Sequence, residues 1–236
     1  MPFFMLLVFI LPVYRLISNM VSEKETKARE SMKIMGLKDL SYWTSWFVYH
    51  FIRVTIISAL STFILSFNVV VRSNPFIIFL FFWIFGLSLF AFSLFVQSFF
   101  SRERIAALCG TLIYFGSSFL NIVIGDEKIP ERFKYAGSLI STVAVIRGSE
   151  TFAYFEIKDE GLNFSNLNRP LRFFSFQGCL VMMIASFFLF LILGLYLDNV
   201  FPSIYGLRKH PLYCLTRGYW CRIHNRKREI GRKAIA

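Results

Sequence analysis

Three long stretches of the chain contain no Asp, Glu, Lys, Arg or His, namely residues 74–101, 105–125 and 173–197. A helix needs about 20 apolar residues to cross the hydrocarbon core of a bilayer, so each stretch is long enough. The composition agrees, because 56% of the residues are hydrophobic and soluble domains contain about 45–50% apolar residues. These stretches predict membrane-spanning helices rather than a soluble core.

Two further apolar stretches carry few charges. One is interrupted by His50 and Arg53, and the other carries Arg15 near its end. We therefore predict an all-α, polytopic integral membrane protein whose composition fits plasma and internal membranes equally. The five predicted spans cover about residues 3–20, 41–67, 75–100, 105–124 and 173–197.

The formal net charge of +12 raises the question of nucleic-acid binding. Sixteen Lys and Arg residues fall in the segments that would share one side of the membrane, against eight on the other side. Basic residues favour the cytosolic side of a membrane protein. The charge therefore predicts an orientation, with residues 21–40, 102–104 and the tail in the cytosol. No basic face with interleaved aromatic residues lies outside the spans, so we expect no nucleic-acid partner.

The charged segment between the first two spans is predicted to form a cytosolic amphipathic helix over residues 22–37. Ser22 and Glu25 have the spacing of a capping box, which favours a helix start at Ser22. Glu23 precedes Lys27 by four residues, and Glu25 precedes Arg29 by four, the favourable order for helical ion pairs. The segment is therefore expected to be a surface helix of about four turns.

The same helix is expected to end at Gly36, because glycine readily adopts the left-handed conformation that stops a helix. Ala28, Met32 and Met35 share one narrow apolar face by their spacing. This pattern fits an interfacial helix to which nothing docks. It equally fits a coupling helix, which a cytosolic motor pushes to move the spans.

Four stretches, taken in order, resemble the transmembrane domain of subfamily A ABC transporters, the lipid exporters. The first resembles the segment after that family's second span, and the others resemble its turn into the fifth span, its outer segment and its exit from the sixth span. They are "EKETKARESMKIMGLKDLSYWTSWF", "FFSRERIAALCGTLIYF", "FAYFEIKDEGLNFSNL" and "YLDNVFPSIYGLRKHPLYCLTRGYW". The last looks more like the N-terminal half of these two-half proteins, although Ser203 replaces the usual glycine.

This resemblance implies an ABC exporter type 2 transmembrane domain that exports or flips lipids. It implies as partners the lipid bilayer, a lipid substrate, a second transmembrane half and a nucleotide-binding domain that would hold ATP and Mg²⁺. Two coupling elements are implied at the cytosolic side. The implied coupling helix includes Glu23, Lys27, Arg29, Met32 and Met35, and the second coupling turn includes Arg102, Glu103 and Arg104.

The chain departs from the family in what it lacks. None of its 13 glycines begins a Walker A loop, in which backbone amides and a Lys cradle phosphates. We therefore expect no ATPase activity, no catalytic residue and no bound cofactor in this chain. An alternative to the transporter is a truncated membrane fragment that acts at most as an assembly partner. A channel is less favoured, because no ring-forming selectivity motif is visible.

His50 and Arg53 lie one helical turn apart within a predicted span. Ionisable residues at membrane depth usually face the protein interior or a watery cavity. The pair is a candidate for the translocation path, where it would meet a lipid phosphate. The alternative is a buried polar contact to another helix, such as the one that carries Ser117, Ser118 and Asn121.

Residues 125–172 are too polar to cross the bilayer completely. Their apolar run, residues 138–146, is too short to span, so we predict a re-entrant helical hairpin on the outer side. Asn163, Phe164 and Ser165 form a glycosylation sequon. Asn163 is therefore a candidate glycosylation site.

Residues 201–236 are predicted to be a basic cytosolic tail or linker. This segment contains His210, Cys214, Cys221 and His224. The spacing of each outer pair is compatible with zinc, but the gap of six residues in the middle is short for a zinc finger. We therefore expect no metal site and interpret the two cysteines as reduced cytosolic thiols.

Overall fold

The computed structural model describes residues 2–68, 70, 72–124, 131–158, 160–164, 166–171 and 174–200. Nearly all of these residues are helical, and two two-residue strands, β1 (Pro170–Leu171) and β2 (Phe174–Ser175), pair antiparallel. The helices are α1 (Pro2–Glu25), α2 (Ala28–Ile34), α3 (Asp39–Asn68), α4 (Pro75–Gln97), α5 (Glu103–Ser118), α6 (Leu120–Ile124), α7 (Glu131–Ser138), α8 (Ser141–Ile157) and α9 (Phe176–Val200).

Among the described residues, five helices are long and apolar enough to cross a membrane, and they correspond to the five predicted spans. They are Phe4–Glu25, Asp39–Phe67, Pro75–Gln97, Glu103–Ile122 and Phe176–Val200. A bilayer offers no water to hydrogen-bond backbone N–H and C=O groups, so these groups must be paired within the protein. A continuous helix pairs them. The prediction of an all-α, polytopic membrane protein is confirmed.

Helix α4 lies at the centre of the bundle, where it packs against α1, α3, α8 and α9. It is the most buried of the five long helices. Phe81, Phe82 and Phe85 of α4 are fully buried, and Phe9 of α1 meets Phe85 edge to face at 5.1 Å. Close packing rather than charge therefore fixes this helix, and the other long helices are arranged around it.

Helices α1 and α5 approach each other at a glycine. A Cβ atom at Gly110 would lie 2.5 Å from the Cδ1 atom of Ile17 and 3.1 Å from Val96, so a larger residue there would require Ile17 to move. Gly116, two turns further along α5, has open space instead. The small residue at position 110 therefore serves helix packing within this chain.

The predicted cytosolic helix over residues 22–37 starts in the wrong place. Ser22 lies inside α1, which continues to Glu25, and the Ser22 carbonyl accepts a hydrogen bond from the Thr26 amide. Lys27 then adopts a left-handed conformation with φ of 59°, which interrupts the helix. The predicted capping box does not form, because Ser22 lies inside α1 and does not precede the start of a helix.

The predicted helix stop at Gly36 is confirmed. Gly36 has a positive φ of 101°, its amide donates to the Lys33 carbonyl, and the Leu37 amide donates to the Met32 carbonyl. These two bonds form a Schellman motif. Helix α2 is therefore a seven-residue helix with a sharp start at Lys27 and a sharp end at Gly36.

The segment predicted as an outer hairpin contains two helices joined by a short turn, α7 and α8. Helix α8 packs against α1, α5 and α9, and most of its side chains are buried. It thus lies within the bundle rather than on its surface. Residues 125–130 and the predicted tail, with its histidines and cysteines, lie outside the described residues.

Candidate functional site

The two predicted coupling elements lie at the same end of the bundle, which we call the α2 end. The first is the connection from α1 through α2 to α3, and the second is the turn from α4 into α5. Helix α9 also ends there, since Asp198 contacts both α1 and α2. All five long helices are linked at this end by hydrogen bonds or ion pairs that involve polar side chains.

A buried ion cluster around Asp198 joins these elements. The Asp198 carboxylate accepts two hydrogen bonds from Arg29, at 3.0 Å to Oδ1 and 2.7 Å to Oδ2. Lys24 Nζ lies 3.0 Å from Oδ1 and donates to the Gln97 carbonyl at 3.2 Å. Gln97 Nε2 donates to Oδ1 at 3.4 Å. The Asp198 side chain is only 4% exposed, so the cluster is shielded from water.

Two aromatic rings from the start of α3 hold the guanidinium of Arg29. Its carbon lies 4.9 Å from the ring centre of Tyr42 and 4.8 Å from that of Trp43. Burial lowers the pKa of Arg29, but the hydrogen bonds and the charge of Asp198 outweigh this effect and raise it above its usual value. Arg29 is therefore a fixed cation with partners on α3 and α9.

The ion pairs predicted from helical spacing do not describe these residues. Arg29 pairs with Asp198, 169 residues away, rather than with Glu25. Glu23 accepts a hydrogen bond from the Tyr42 hydroxyl at 2.7 Å. The break at Lys27 removes the continuous helix on which Glu23 and Lys27 would face each other. The physical reason is that Asp198 and Tyr42, on other helices, provide hydrogen-bond partners for Arg29 and Glu23.

The second coupling turn is linked to the first by hydrogen bonds. Glu25 Oε2 accepts from the Glu103 amide at 2.8 Å, and Ser18 donates to Glu103 Oε1 at 2.6 Å. Glu25 thus places a carboxylate at the N-terminus of α5, where the helix dipole favours negative charge. Arg102 and Arg104 are exposed. They line an open cleft of about 530 Å³ between the two elements.

The apolar side of α2 is only partly covered. Met32 is half-buried, whereas Ile34 is 88% exposed and Met35 78% exposed. Lys27, which precedes the first residue of the helix, is also exposed. Of the predicted apolar face, Met32 is therefore partly covered, whereas Met35, at the Schellman turn, is not. The coupling role of these residues stays a prediction.

His50 is 2% exposed and makes a buried polar contact between two helices. Its Nε2 lies 3.0 Å from the Gly86 carbonyl of α4, and its ring stacks on Phe90 with 5.4 Å between ring centres. Arg53 is half-buried. The alternative considered from the sequence named α5 as the contacted helix, whereas the structure places α4 there. A role of His50 and Arg53 in the translocation path stays a prediction.

Asn163 is exposed in a turn at the end of the bundle opposite α2. Its amide donates to Asn166 Oδ1 at 2.8 Å, and its carbonyl accepts from the Asn166 amide at 3.1 Å. Ser165 of the sequon lies outside the described residues. The exposed position suits a glycosylation site, which stays a prediction.

Sequence reasoning missed Lys24, Gln97 and Asp198. One signal was present, because Asp198 is the first charge after an uncharged run of 25 residues and the lone acidic residue between Glu160 and Glu229. A lone acidic residue at the end of a span indicates an ion pair with a basic residue elsewhere in the chain. Within the part of the chain that the structure describes, no group of three or more His, Cys, Asp or Glu could hold a metal ion.

Comparison with known proteins agrees with this architecture. Residues 1–196 match the family described as ABC-2 family transporter protein. The chain is 35% identical over 225 residues to the bovine retinal-specific phospholipid-transporting ATPase ABCA4 and covers 10% of that protein. It is 30% identical over 230 residues to the human ATP-binding cassette sub-family A member 2 and covers 9% of it. In both cases 93% of this chain is aligned. The chain thus spans about a tenth of the length of the curated relatives it matches.

Proposed function

Because the chain belongs to the family of ABC-2 transporter proteins, we propose that it is the transmembrane domain of an ATP-driven exporter or flippase of lipids. ATP hydrolysis takes place in a nucleotide-binding domain outside this chain, which also binds ATP and Mg²⁺. The remaining partners are the bilayer, the lipid substrate and a second transmembrane half. The lipid substrate is supported by the phospholipid-transporting function in the names of relatives.

One structural observation carries the proposal for the α2 end. Glu25, at the end of α1, bonds to the amide of Glu103 at the start of α5. The two predicted coupling elements therefore form one continuous surface rather than two separate loops. A motor that docks on this surface acts on α1, α3, α4, α5 and α9 together.

The side chains exposed on this surface are suited to a protein partner. Ile34 and Met35 are exposed apolar side chains of this surface, and Lys27, Arg102 and Arg104 are exposed basic side chains of it. Buried apolar anchors with charged rims are typical of protein interfaces. We assign this surface to the cytosolic side, in agreement with the distribution of basic residues.

The transport function can be tested with a fusion of this chain to the nucleotide-binding domain and second half of a homologous exporter. The fusion is reconstituted in liposomes that contain a fluorescent phosphatidylcholine, and a membrane-impermeant quencher reports the leaflet of the label. We expect the quenched fraction to change with ATP, and not when the Walker A lysine of the motor is replaced. ATP hydrolysis without movement of the lipid would contradict lipid transport and favour the assembly-partner alternative.

The genomic sequence downstream of Ala236 separates the same two alternatives. A reading frame that continues into a Walker A loop supports the transporter. A stop codon supports the fragment.

The docking surface can be tested with Ile34→Asp in the fusion. Ile34 is 88% exposed, so we expect normal membrane insertion but a loss of lipid-stimulated ATPase activity. Ile157→Asp is the matched control, because Ile157 is 82% exposed and lies at the opposite end of the bundle. Equal stimulation in the two variants would contradict a docking role for α2.

The orientation can be tested by cysteine labelling of intact cells after the four native cysteines are replaced. Phe164→Cys and Ser31→Cys place single exposed cysteines at opposite ends of the bundle. We expect an impermeant maleimide to label position 164 directly and position 31 only after permeabilisation. The reverse pattern would overturn the orientation.

A further inference from the structure

Helix α2 is attached to the bundle in an unusual way. None of its seven residues is buried, so a hydrophobic core does not hold it. The turn that precedes it contains Lys27 in a left-handed conformation, which is unfavourable for a residue other than glycine. Contacts elsewhere must therefore fix the direction of α2, and the strongest of those described is the bond between Arg29 and Asp198.

We propose that Asp198 is a positioning residue that fixes α2 to the end of α9. When α2 moves, the end of α9 then moves with it. Without this link, the turn at Thr26 and Lys27 could change conformation while α9 stays in place. This inference rests on the proposed function, because it describes how the docking surface acts on the spans.

The geometry of the bond suits this role. Both Nη atoms of Arg29 donate to the two oxygens of Asp198, at 3.0 and 2.7 Å. A two-point contact between a planar guanidinium and a carboxylate fixes orientation as well as distance. Tyr42 and Trp43 restrict the guanidinium further. A single ammonium group, such as that of Lys24, cannot fix orientation in this way.

Substitutions in the cluster can distinguish the positioning role of Asp198 from its role in balancing the buried positive charge. Lys24, Arg29 and Asp198 together carry one net positive charge. Asp198→Asn raises this to two and leaves two buried cations without their anion, so the single variant is at risk of misfolding. The double variant Asp198→Asn with Lys24→Met restores one positive charge but lacks the Arg29–Asp198 ion pair. Lys24→Met alone keeps that ion pair.

The positioning role can be measured without a motor. The full 236-residue chain is placed in lipid nanodiscs with its four native cysteines replaced, and a spin label is attached at Ser31→Cys, an exposed position on α2. We expect a restricted spectrum in the parent protein and in Lys24→Met, and a mobile spectrum in the double variant. Asp39→Asn, which removes the exposed ion pair with Lys33, is the matched control and should leave the spectrum restricted. An unchanged spectrum in the double variant would overturn the inference.

The consequence for coupling is measured in the fusion that tests the proposed function. Coupling between two sites is typically worth a factor of about 5–150, so we expect a loss of roughly tenfold or more in lipid-stimulated ATPase activity in the double variant. Lys24→Met should stay close to the parent protein. Full stimulation in a double variant whose label is mobile would overturn the coupling role of Asp198. If the parent fusion itself moves no lipid, the proposed function fails, whereas the spectrum still decides whether Asp198 positions α2.

Discussion

The two ends of helix α2 are held in different ways. Near its start, Arg29 is enclosed by Asp198 and two aromatic rings. At its end, Ile34 is exposed and Lys33 forms a surface ion pair with Asp39, in which both side chains are at least 40% exposed. The same short helix therefore carries a buried ion pair at Arg29 and a surface ion pair at Lys33.

This difference shows which end anchors the helix and which end remains available. Loss of one partner from a buried pair costs about 3–5 kcal/mol, because an uncompensated charge is left behind. Exposed pairs contribute about 0–1 kcal/mol. We therefore expect substitutions near the start of α2 to affect folding and substitutions near its end to affect partner binding.

The largest expected effect is that of Asp198→Asn. It leaves Lys24 and Arg29 buried together without an anion, and we expect the free energy of unfolding to fall by about 3–5 kcal/mol. Thermal unfolding in detergent measures this as a lower Tm. Glu160→Gln, which removes an exposed ion pair with Arg169 at the other end of the bundle, is the control. A Tm like that of the control would show that the cluster does not anchor α2.

The next largest effect is expected where α1 packs against α5 near the α2 end. Gly110→Leu would force atoms into the space of Ile17 and Val96, and overpacking typically costs about 1–3 kcal/mol. Gly116→Leu, at the open position on the same helix, should be neutral. Thermal unfolding of both variants checks this. Equal losses would mean that the contact between α1 and α5 is looser than the structure shows.

A smaller effect is expected where Glu25 caps α5. Glu25→Ala removes the acceptor of the Glu103 amide, and loss of a helix cap costs about 0.5–2 kcal/mol. We expect the lower part of this range, because Glu25 is exposed. Glu25→Gln keeps an acceptor and should recover most of the loss. Hydrogen exchange at the start of α5 measures the effect locally, and identical exchange in the two variants would argue against the cap.

The smallest effect is expected at the far end of α2. Asp39→Asn removes the ion pair with Lys33, and we expect the free energy of unfolding to change by less than about 0.5 kcal/mol. Chemical denaturation followed by Trp fluorescence would detect a larger change. A loss near that of Asp198→Asn would remove the contrast between the two ends of the helix.

The five long helices could be predicted because their signal is local. A run such as residues 173–197 contains no charged residue that would favour contact with water. Its composition alone therefore predicts burial in lipid or protein. Gly36 was predictable for the same reason, because the need for a positive φ is a property of a single residue and its neighbours. The stop of α2 at Gly36 therefore agrees with the sequence to the residue.

The charged residues of the α2 end were harder to interpret. Spacing rules assess partners three or four residues apart, and they assigned Arg29 to Glu25. The actual partner, Asp198, lies on another span. Local rules cannot weigh a contact that depends on how α1 and α9 are each placed by packing on α4. For the same reason the start of α2 was misplaced, since the break at Lys27 lets Arg29 reach a distant carboxylate.

A double-mutant cycle on Arg29 and Asp198 tests the anchoring of α2 most directly. The unfolding free energies of the parent, Arg29→Gln, Asp198→Asn and the double variant give the interaction energy of the pair, apart from other losses. Residues in direct contact show interaction energies of about 0.5–3 kcal/mol, and we predict a value above about 1.5 kcal/mol. The same cycle on Lys33 and Asp39 should give a value near zero. If both cycles give less than about 0.5 kcal/mol, α2 is not anchored through Asp198.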